Sequence, residues 1–377
     1  MTTMPSQAMP ETGAAKLDNP AAEGIKVLRE EIDRIDRELL GLLNQRARLA
    51  LKIGRRKQAA GMPVFVPERE NDLLDKLAKS NRGPLPDGYL RNIFREVVSA
   101  CRSVQQPLRV AFLGPEFTFS HQAALQHFGH SCTLAPQTGI AEVFREVEGG
   151  RCQVGLVPVE NSGEGAVGAS LDQFMTTPLK VCGEVFTPIS HMLMSREEDL
   201  DAIATVYSHP QALAQCRAWL SRNMPQARVA EAPSTAAAAR LAADNAGSAA
   251  VGAAAAAGQH GLKILAENIQ DYSHNTTRFL VIGTQDVPPC GQDKTTLMFL
   301  TAHRPGSLYQ ALGELAELGI NLSRIESRPT KDRPWEYAFF VDLHGHRQDS
   351  KVAKALAALE SQVERLRVLG SFPIGEM

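Results

Sequence analysis

Apolar residues between Ile25 and Ile53 recur three and four positions apart: Ile25, Leu28, Ile32, Ile35, Leu39, Leu42, Leu49 and Ile53. That spacing predicts one helix, from about Pro20 to Gln58, carrying a single apolar seam. At ~1.5 Å per residue it would run roughly 55–60 Å, longer than a compact domain requires. Two shorter helices are predicted over Pro67–Ser80 and Asp87–Gln105. The turns Gly61-Met62-Pro63 and Gly83-Pro84-Leu85-Pro86 divide the three. One long helix and two short ones cannot bury that seam, so a dimer with paired long helices is expected.

Beyond Leu108 the pattern changes. Strand-like runs at Arg109–Leu113, Gln153–Val159, Leu179–Val185, Thr205–Tyr207, Arg228–Ala230, Ala249–Val251, Lys263–Leu265 and Arg278–Ile282 alternate with helical ones. This is an α/β pattern. The alanine-rich stretch Thr235–Ala257 reads as helix, strand, helix, punctuated by Gly247 and Gly252. From about Lys294 the order is strand (Thr295–Ala302), helix (Ser307–Leu318), strand (Asn321–Ser327), strand (Glu336–Leu343), helix (Ser350–Gln362) and strand (Leu366–Gly370). That βαββαβ order is the ferredoxin-like arrangement. Four segments follow: a disordered tail at 1–20, rich in Pro, Ala, Thr and Gly; a helical domain at 21–106; an α/β domain at 108–285; and a ferredoxin-like domain at 294–377.

Composition narrows the classes. The 377 residues are 44% hydrophobic and 22% charged, with a formal net charge of -2. The chain is globular, and no global basic field points to nucleic acid. Between Glu23 and Pro107, however, 17 Lys/Arg face 12 Asp/Glu, an excess of +5 that suits either an anionic ligand or a solvated helical surface. The six cysteines include no C-x-x-C pair, which favours a reducing, cytoplasmic compartment. The first twenty residues have no basic and apolar sections, so no signal peptide is expected. No run reaches the ~18 apolar residues of a membrane span.

One charge stands out of place. Arg46 fills the gap in the apolar seam between Leu42 and Leu49, where a cation costs several kcal/mol unless it meets an anion. It either reaches outward or to a buried carboxylate, or it serves a ligand pocket with its fork of donors. Arg29 and Lys57 are ~42 Å apart on one rod, so only antiparallel pairing of two chains would bring them together. The segment IKVLREEIDRIDRELLGLLNQRARLALKIGRRK, followed by VFVPERENDLL, resembles the all-helical chorismate mutases. The resemblance implies rearrangement of chorismate to prephenate without nucleophile or metal. It also implies roles. Arg46 and Arg29 of the partner subunit would clamp the two carboxylates. Lys57 and Gln105 would donate to the ether oxygen, and Glu70, supported by Arg69, would hold the ring hydroxyl. A neutral Gln105 predicts a mutase whose activity is not confined to acid.

In the central segment Gly163-Glu164-Gly165-Ala166-Val167-Gly168 spells G-x-G-x-x-G, as in dinucleotide sites. Three residues intervene between strand and glycines, and Pro158 interrupts the strand, which both count against it. VAFLGPEFTFSHQAAL, GLVPVENSGEGAVG, VYSHPQALAQC, STAAAA and NTTRFLVIG, in that order, resemble prephenate dehydratase. The family usually shows Gly where Phe117 stands. The resemblance implies two α/β lobes like a type II periplasmic binding protein, and loss of hydroxide and carbon dioxide from prephenate to give phenylpyruvate. By the same resemblance Thr277 donates to the leaving hydroxyl, Arg278 and Phe279 shape the pocket, and Asn161, Ser208 and Gln215 orient the substrate. Taken singly, Ser208 could belong to a turn and Asn161 to a helix cap.

HRPGSLYQALGELAELGINLSRIESRP resembles the ACT domain attached to prephenate dehydratases, with Ser307 where the family usually has Ala. Phenylalanine is then expected between paired ACT domains, near Gly306, Ser307, Leu308, Asn321, Glu326, Ser327, Arg328 and Pro329. A ferredoxin-like dimerisation module without ligand is the plain alternative. His121, His191, His209 and His274 lack metal-ligand spacing, so neither metal nor cofactor is expected. Two rival readings remain at this point. One is an NAD-dependent prephenate dehydrogenase-type enzyme; the other is a non-catalytic sensor of small molecules.

Overall fold

The computed structural model describes residues 20–62, 65–330 and 336–375. The expected disordered tail lies outside the described residues. Helix α1 (Pro20–Ala59) is followed by α2 (Pro67–Ser80) and α3 (Asp87–Ser103). The long helix matches its predicted length because no proline interrupts the sequence between Pro20 and Gly61 and the apolar period lapses only at Arg46. Its seam is bare in the single chain: Ile25 is 52% exposed, Leu28 60% and Leu42 60%. Close approach of α1 and α3 depends on buried Gly54, where a Cβ would lie 2.9 Å from the Gln105 side chain.

The α/β segment forms two lobes. The first holds β1 (Arg109–Leu113), α4 (Phe119–Phe128), β2 (Thr133–Gln137), α5 (Ile140–Glu148), β3 (Val154–Asn161), β4 (Gly165–Ala166), α6 (Gly168–Phe174) and β5 (Lys180–Pro188). The second holds β6 (Met192–Ser195), β7 (Thr205–Ser208), α7 (Pro210–Gln215), α8 (Arg217–Asn223), β8 (Arg228–Glu231), α9 (Thr235–Asp244), β9 (Ser248–Gly252), α10 (Ala254–His260) and β10 (Lys263–Ala266). The chain then returns to the first lobe as β11 (Thr276–Gly283), between β3 and β5 in the order β2-β1-β3-β11-β5. The second sheet runs β10-β6-β9-β7-β8. The alanine-rich stretch is helix, strand, helix, as expected; Ala238, Ala239, Ala242 and Ala250 are fully buried where helix and sheet meet closely. Three strands escaped the sequence pattern. β2 carries Pro136 and lies at an edge, where a missing N–H is tolerated. β4 has two residues, and β6 (Met-Leu-Met-Ser) has no β-branched residue.

The last segment is β12 (Asp293–Leu300), α11 (Ser307–Glu317), β13 (Leu322–Pro329), β14 (Tyr337–His344), α12 (Ser350–Gln362) and β15 (Arg365–Pro373), with sheet order β13-β14-β12-β15. This sheet does not stand apart. Met298, Phe340, Leu369 and Phe372 share one core with Val143, Phe144, Phe174 and Ile282 of the first lobe. β15 and β5 come so close that a Cβ on Gly370 would lie 2.1 Å from the Val181 carbonyl oxygen. Among the described residues, no helix is long and apolar enough to cross a membrane.

Candidate functional sites

In the helical segment, Arg46 reaches from α1 to α3, where Nη1 donates to the Val97 carbonyl at 3.3 Å. Gln105 donates to the Cys101 carbonyl at 3.1 Å and leaves its buried Oε1 without a hydrogen-bond partner. Lys57, half-buried near the end of α1, is held below the ordinary lysine value by burial and by Arg69, against the opposing pull of Glu70 and Glu68. Glu70 is not free: the buried Arg102 donates to both its oxygens through Nη1, at 2.7 and 2.6 Å, and to the Phe128 carbonyl through Nη2 at 2.6 Å. Arg69 and Arg29 are exposed. Sequence reading missed Arg102 and Gly54. Arg102 lies on a helical face with other polar residues, and no spacing announces its partner 32 residues away.

Where the two lobes meet, polar side chains form a continuous hydrogen-bonded chain that ends on the carboxylate of Glu164. Asn161 ends β3 and Thr277 lies opposite it on β11. Asn161 Nδ2 donates to Thr277 Oγ1 at 2.9 Å and to Asn275 Oδ1 at 2.8 Å. Its Oδ1 receives the backbone N–H groups of Gly163 and Glu164, at 3.0 and 3.2 Å. Asn275 Nδ2 donates to Gln215 Oε1 at 3.0 Å, and His191 Nε2 lies 2.8 Å from the same oxygen. Gln215 Nε2 donates to Glu164 at 2.6 Å. A carboxylate accepts only, so Gln215 presents its amide nitrogen to Glu164 and its oxygen to His191. The Nε2 of His191 therefore carries the proton. Burial, above all, holds His191 below the ordinary histidine value, so the ring is neutral. Asn161, Gln215 and Thr277 thus come together as expected, and His191, Asn275 and Glu164 join them unforeseen. The asparagine was within reach of sequence reading, since it directly precedes the TTRF motif.

Three residues expected at this pocket are engaged elsewhere. Ser208, fully buried, donates to the Val251 carbonyl at 2.6 Å and ties β7 to β9. Phe279 lies in the core beside Phe112 and Leu156. Arg278 faces the other side of β11, because strand residues alternate. Its Nε donates to Glu184 at 2.8 Å, and its Nη1 donates to Asp342 of the C-terminal sheet. Lys294 completes the buried cluster, 2.7 Å from Glu184. Burial pulls the Arg278 pKa down, yet Asp342 and Glu184 raise it above the ordinary arginine value.

The glycine loop does not build a dinucleotide cradle. Gly165 and Ala166 fold back on β3 as β4, making a hairpin instead of a direct strand-to-helix turn. The position a Cβ would take at Gly168 is filled by the guanidinium of Arg328, 2.6 Å away, and that arginine pairs with Asp172 at 2.8 Å. In the C-terminal segment Gly306, Ser307 and Leu308 line a hollow of about 380 Å³ with Thr301, His303 and Phe339. Asn321, Glu326, Ser327, Arg328 and Pro329 do not line it. Glu326 and Arg328 are half-buried on β13, and Asn321, Ser327 and Pro329 are exposed.

Comparison with known proteins gives the same three-part order. Residues 28–106 match the family model of chorismate mutase type II, 110–287 that of prephenate dehydratase and 295–361 that of the ACT domain. The bifunctional chorismate mutase/prephenate dehydratase of Aquifex aeolicus is 47% identical over 355 residues, covering 93% of this chain and 98% of its own length. Its counterpart in Stutzerimonas stutzeri is 44% identical over 358 residues, with coverages of 93% and 98%. The solved prephenate dehydratase of Arthrobacter aurescens, in complex with L-Phe, is 37% identical with a TM-score of 0.66, over 71% of this chain and 90% of its own. With the helical segment, the two-lobed cleft and the third sheet all accounted for, the chain belongs to the family of bifunctional chorismate mutase/prephenate dehydratases.

Proposed function

We propose that the chain carries out two consecutive reactions, rearranging chorismate to prephenate in its helical segment and converting prephenate to phenylpyruvate in the cleft. The observation that carries the second reaction is the hydrogen bond from Asn161 Nδ2 to Thr277 Oγ1. An amide N–H can only donate, so it occupies a lone pair of the threonine and leaves the hydroxyl proton to point elsewhere. The departing group of prephenate is a hydroxide that needs such a donor. Thr277 stabilises the charge forming on that oxygen, carbon dioxide leaves with the ring electrons rearranging, and solvent supplies the proton that makes water. Aromaticity of the product drives the step, so the protein has to bind, orient and stabilise a charge.

For the first reaction the support is that Arg46 bridges α1 to α3, that Gln105 lies against Gly54 of α1 with its oxygen unsatisfied, and that Lys57 stands near the C-terminal end of α1. A second copy, seated on the bare seam of α1, covers the apolar residues and brings its own Arg29 to this end. Phenylalanine binds the ACT domain at the hollow beside Gly306–Leu308 and disfavours the dehydratase-active arrangement.

The test is direct. Purified protein given prephenate alone forms phenylpyruvate without added NAD, and Thr277→Ala lowers kcat at least a hundredfold. Turnover that begins only on adding NAD would overturn the reading of the cleft.

A further inference from the structure

The loop Gly163–Gly165 crosses the cleft. Glu164 belongs to the first lobe, yet both its oxygens are bound by the second. Oε1 accepts from Gln215 Nε2 at 2.6 Å and Oε2 from Gln211 Nε2 at 2.5 Å. Gln211 and Gln215 are four residues apart on α7, so their amides share one helix face. Neither donor is charged, and among the described residues no cation pairs with Glu164. The orientation of Gln215 is preset: its oxygen already accepts from Asn275 and lies 2.8 Å from His191 Nε2, so its N–H groups must face Glu164. This is a carboxylate seat, and the protein fills it with a carboxylate of its own. Three hydrogen bonds in sequence, through Asn275 and Asn161, link Gln215 to Thr277.

We infer that the Gln211–Gln215 amide pair receives one carboxylate of prephenate and that Glu164 is a built-in stand-in which the substrate displaces. The inference rests on reading the cleft as the prephenate site. It adds Gln211 to the residues that hold substrate and gives Glu164 a role opposed to binding. While Glu164 occupies the amides, the lobes are bridged and the seat is closed. Only the fraction of molecules with Glu164 swung out can bind, and the apparent affinity is lowered by that fraction. Glu164 is exposed, so its removal leaves the fold intact.

Binding is best measured in the Thr277→Ala background, where prephenate is retained instead of consumed. Calorimetric titration of Thr277→Ala/Glu164→Ala with prephenate should give a Kd roughly three- to tenfold lower than Thr277→Ala alone. Thr277→Ala/Gln211→Ala should bind several-fold more weakly than Thr277→Ala, one donor being lost. Glu164→Gln, which keeps the length but not the second acceptor oxygen, should fall between the parent and the alanine variant. In the active enzyme the same change at Glu164 should act through KM. An unchanged or weaker affinity on removing Glu164, or a kcat that collapses, would overturn the inference, since either means that Glu164 aids the substrate. A native enzyme that makes no phenylpyruvate from prephenate would instead remove the reading of the cleft, and the two failures are separable.

Discussion

Single residues carry much of the chemistry here through partners distant in sequence. Thr277 and Asn161 were legible because each sits in a motif whose resemblance to a family supplies a role. His191 and Glu164 were not, because their contacts lie 24 and 51 residues away along the chain. Phe117 illustrates a departure that the structure explains in part. Its φ of 65° lies in the left-handed region, where glycine is at ease. The phenyl ring offsets some of that strain by crossing to the second lobe, where it packs with Met192 and Tyr207 against the alanine cluster. The chain thus has an apolar bridge between lobes where a glycine would offer none. Lys57 carries a pH prediction. Burial and Arg69 lower its pKa, and donation to an ether oxygen requires the protonated amine. Mutase kcat/KM should therefore fall on the alkaline side at a pH below the ordinary lysine value of about 10.5, while persisting at neutral pH beside the uncharged Gln105. Lys57→Arg should push that decline beyond the measured range. A pH–rate profile with no decline up to pH 10.5 would refute the assignment.

At the level of elements, the strong periods told the truth: α1, α2 and α12 run almost where the apolar spacing put them. What spacing could not say was which face of β13 looks where. The ESRP motif was expected at the effector, yet alternation on β13 turns Arg324 and Arg328 toward the first lobe, onto Glu160 at 3.1 Å and Asp172 at 2.8 Å. Arg367 of β15 adds donations to the carbonyls of Phe174 and Met175 at the end of α6, at 3.0 and 2.9 Å. Helix α6 is therefore gripped at both ends by arginines of the sensor segment, and its leading loop is the one that holds Glu164. The buried cluster of Arg278, Glu184, Asp342 and Lys294 is the second grip. Asp342→Ala leaves two buried cations sharing one carboxylate and should cost about 3–5 kcal/mol of stability, read from urea unfolding. A loss under ~1 kcal/mol would mean that water reaches the cluster.

Across the whole molecule the two junctions differ in kind. The helical segment meets the first lobe through Arg102, the Glu96–His130 pair at 2.8 Å, a hydrogen bond from the Ser131 N–H to Ser99 Oγ at 3.3 Å, and Phe65, which packs on the edge of the lobe's core with its ring centroid 5.5 Å from that of Phe128. The sensor segment meets the same lobe through a common apolar core and at least five arginine or lysine anchors. A chain of residues 107–377 should therefore be soluble and still form phenylpyruvate from prephenate. A chain of residues 1–290 should aggregate, with Leu280, Ile282 and Glu184 uncovered. Soluble yield and turnover of the two fragments check this, and a soluble, active 1–290 would refute it.

Gly370, lying against the Val181 backbone, shows what this means for inheritance. A sensor transplanted from another protein would need a glycine at that one position and matching charges at four others before it could settle on this lobe. The helical segment asks for far less of its neighbour. Lineages that shuffle these parts are thus free to gain or lose the helices, whereas the lobes and the sensor must travel together and change in step.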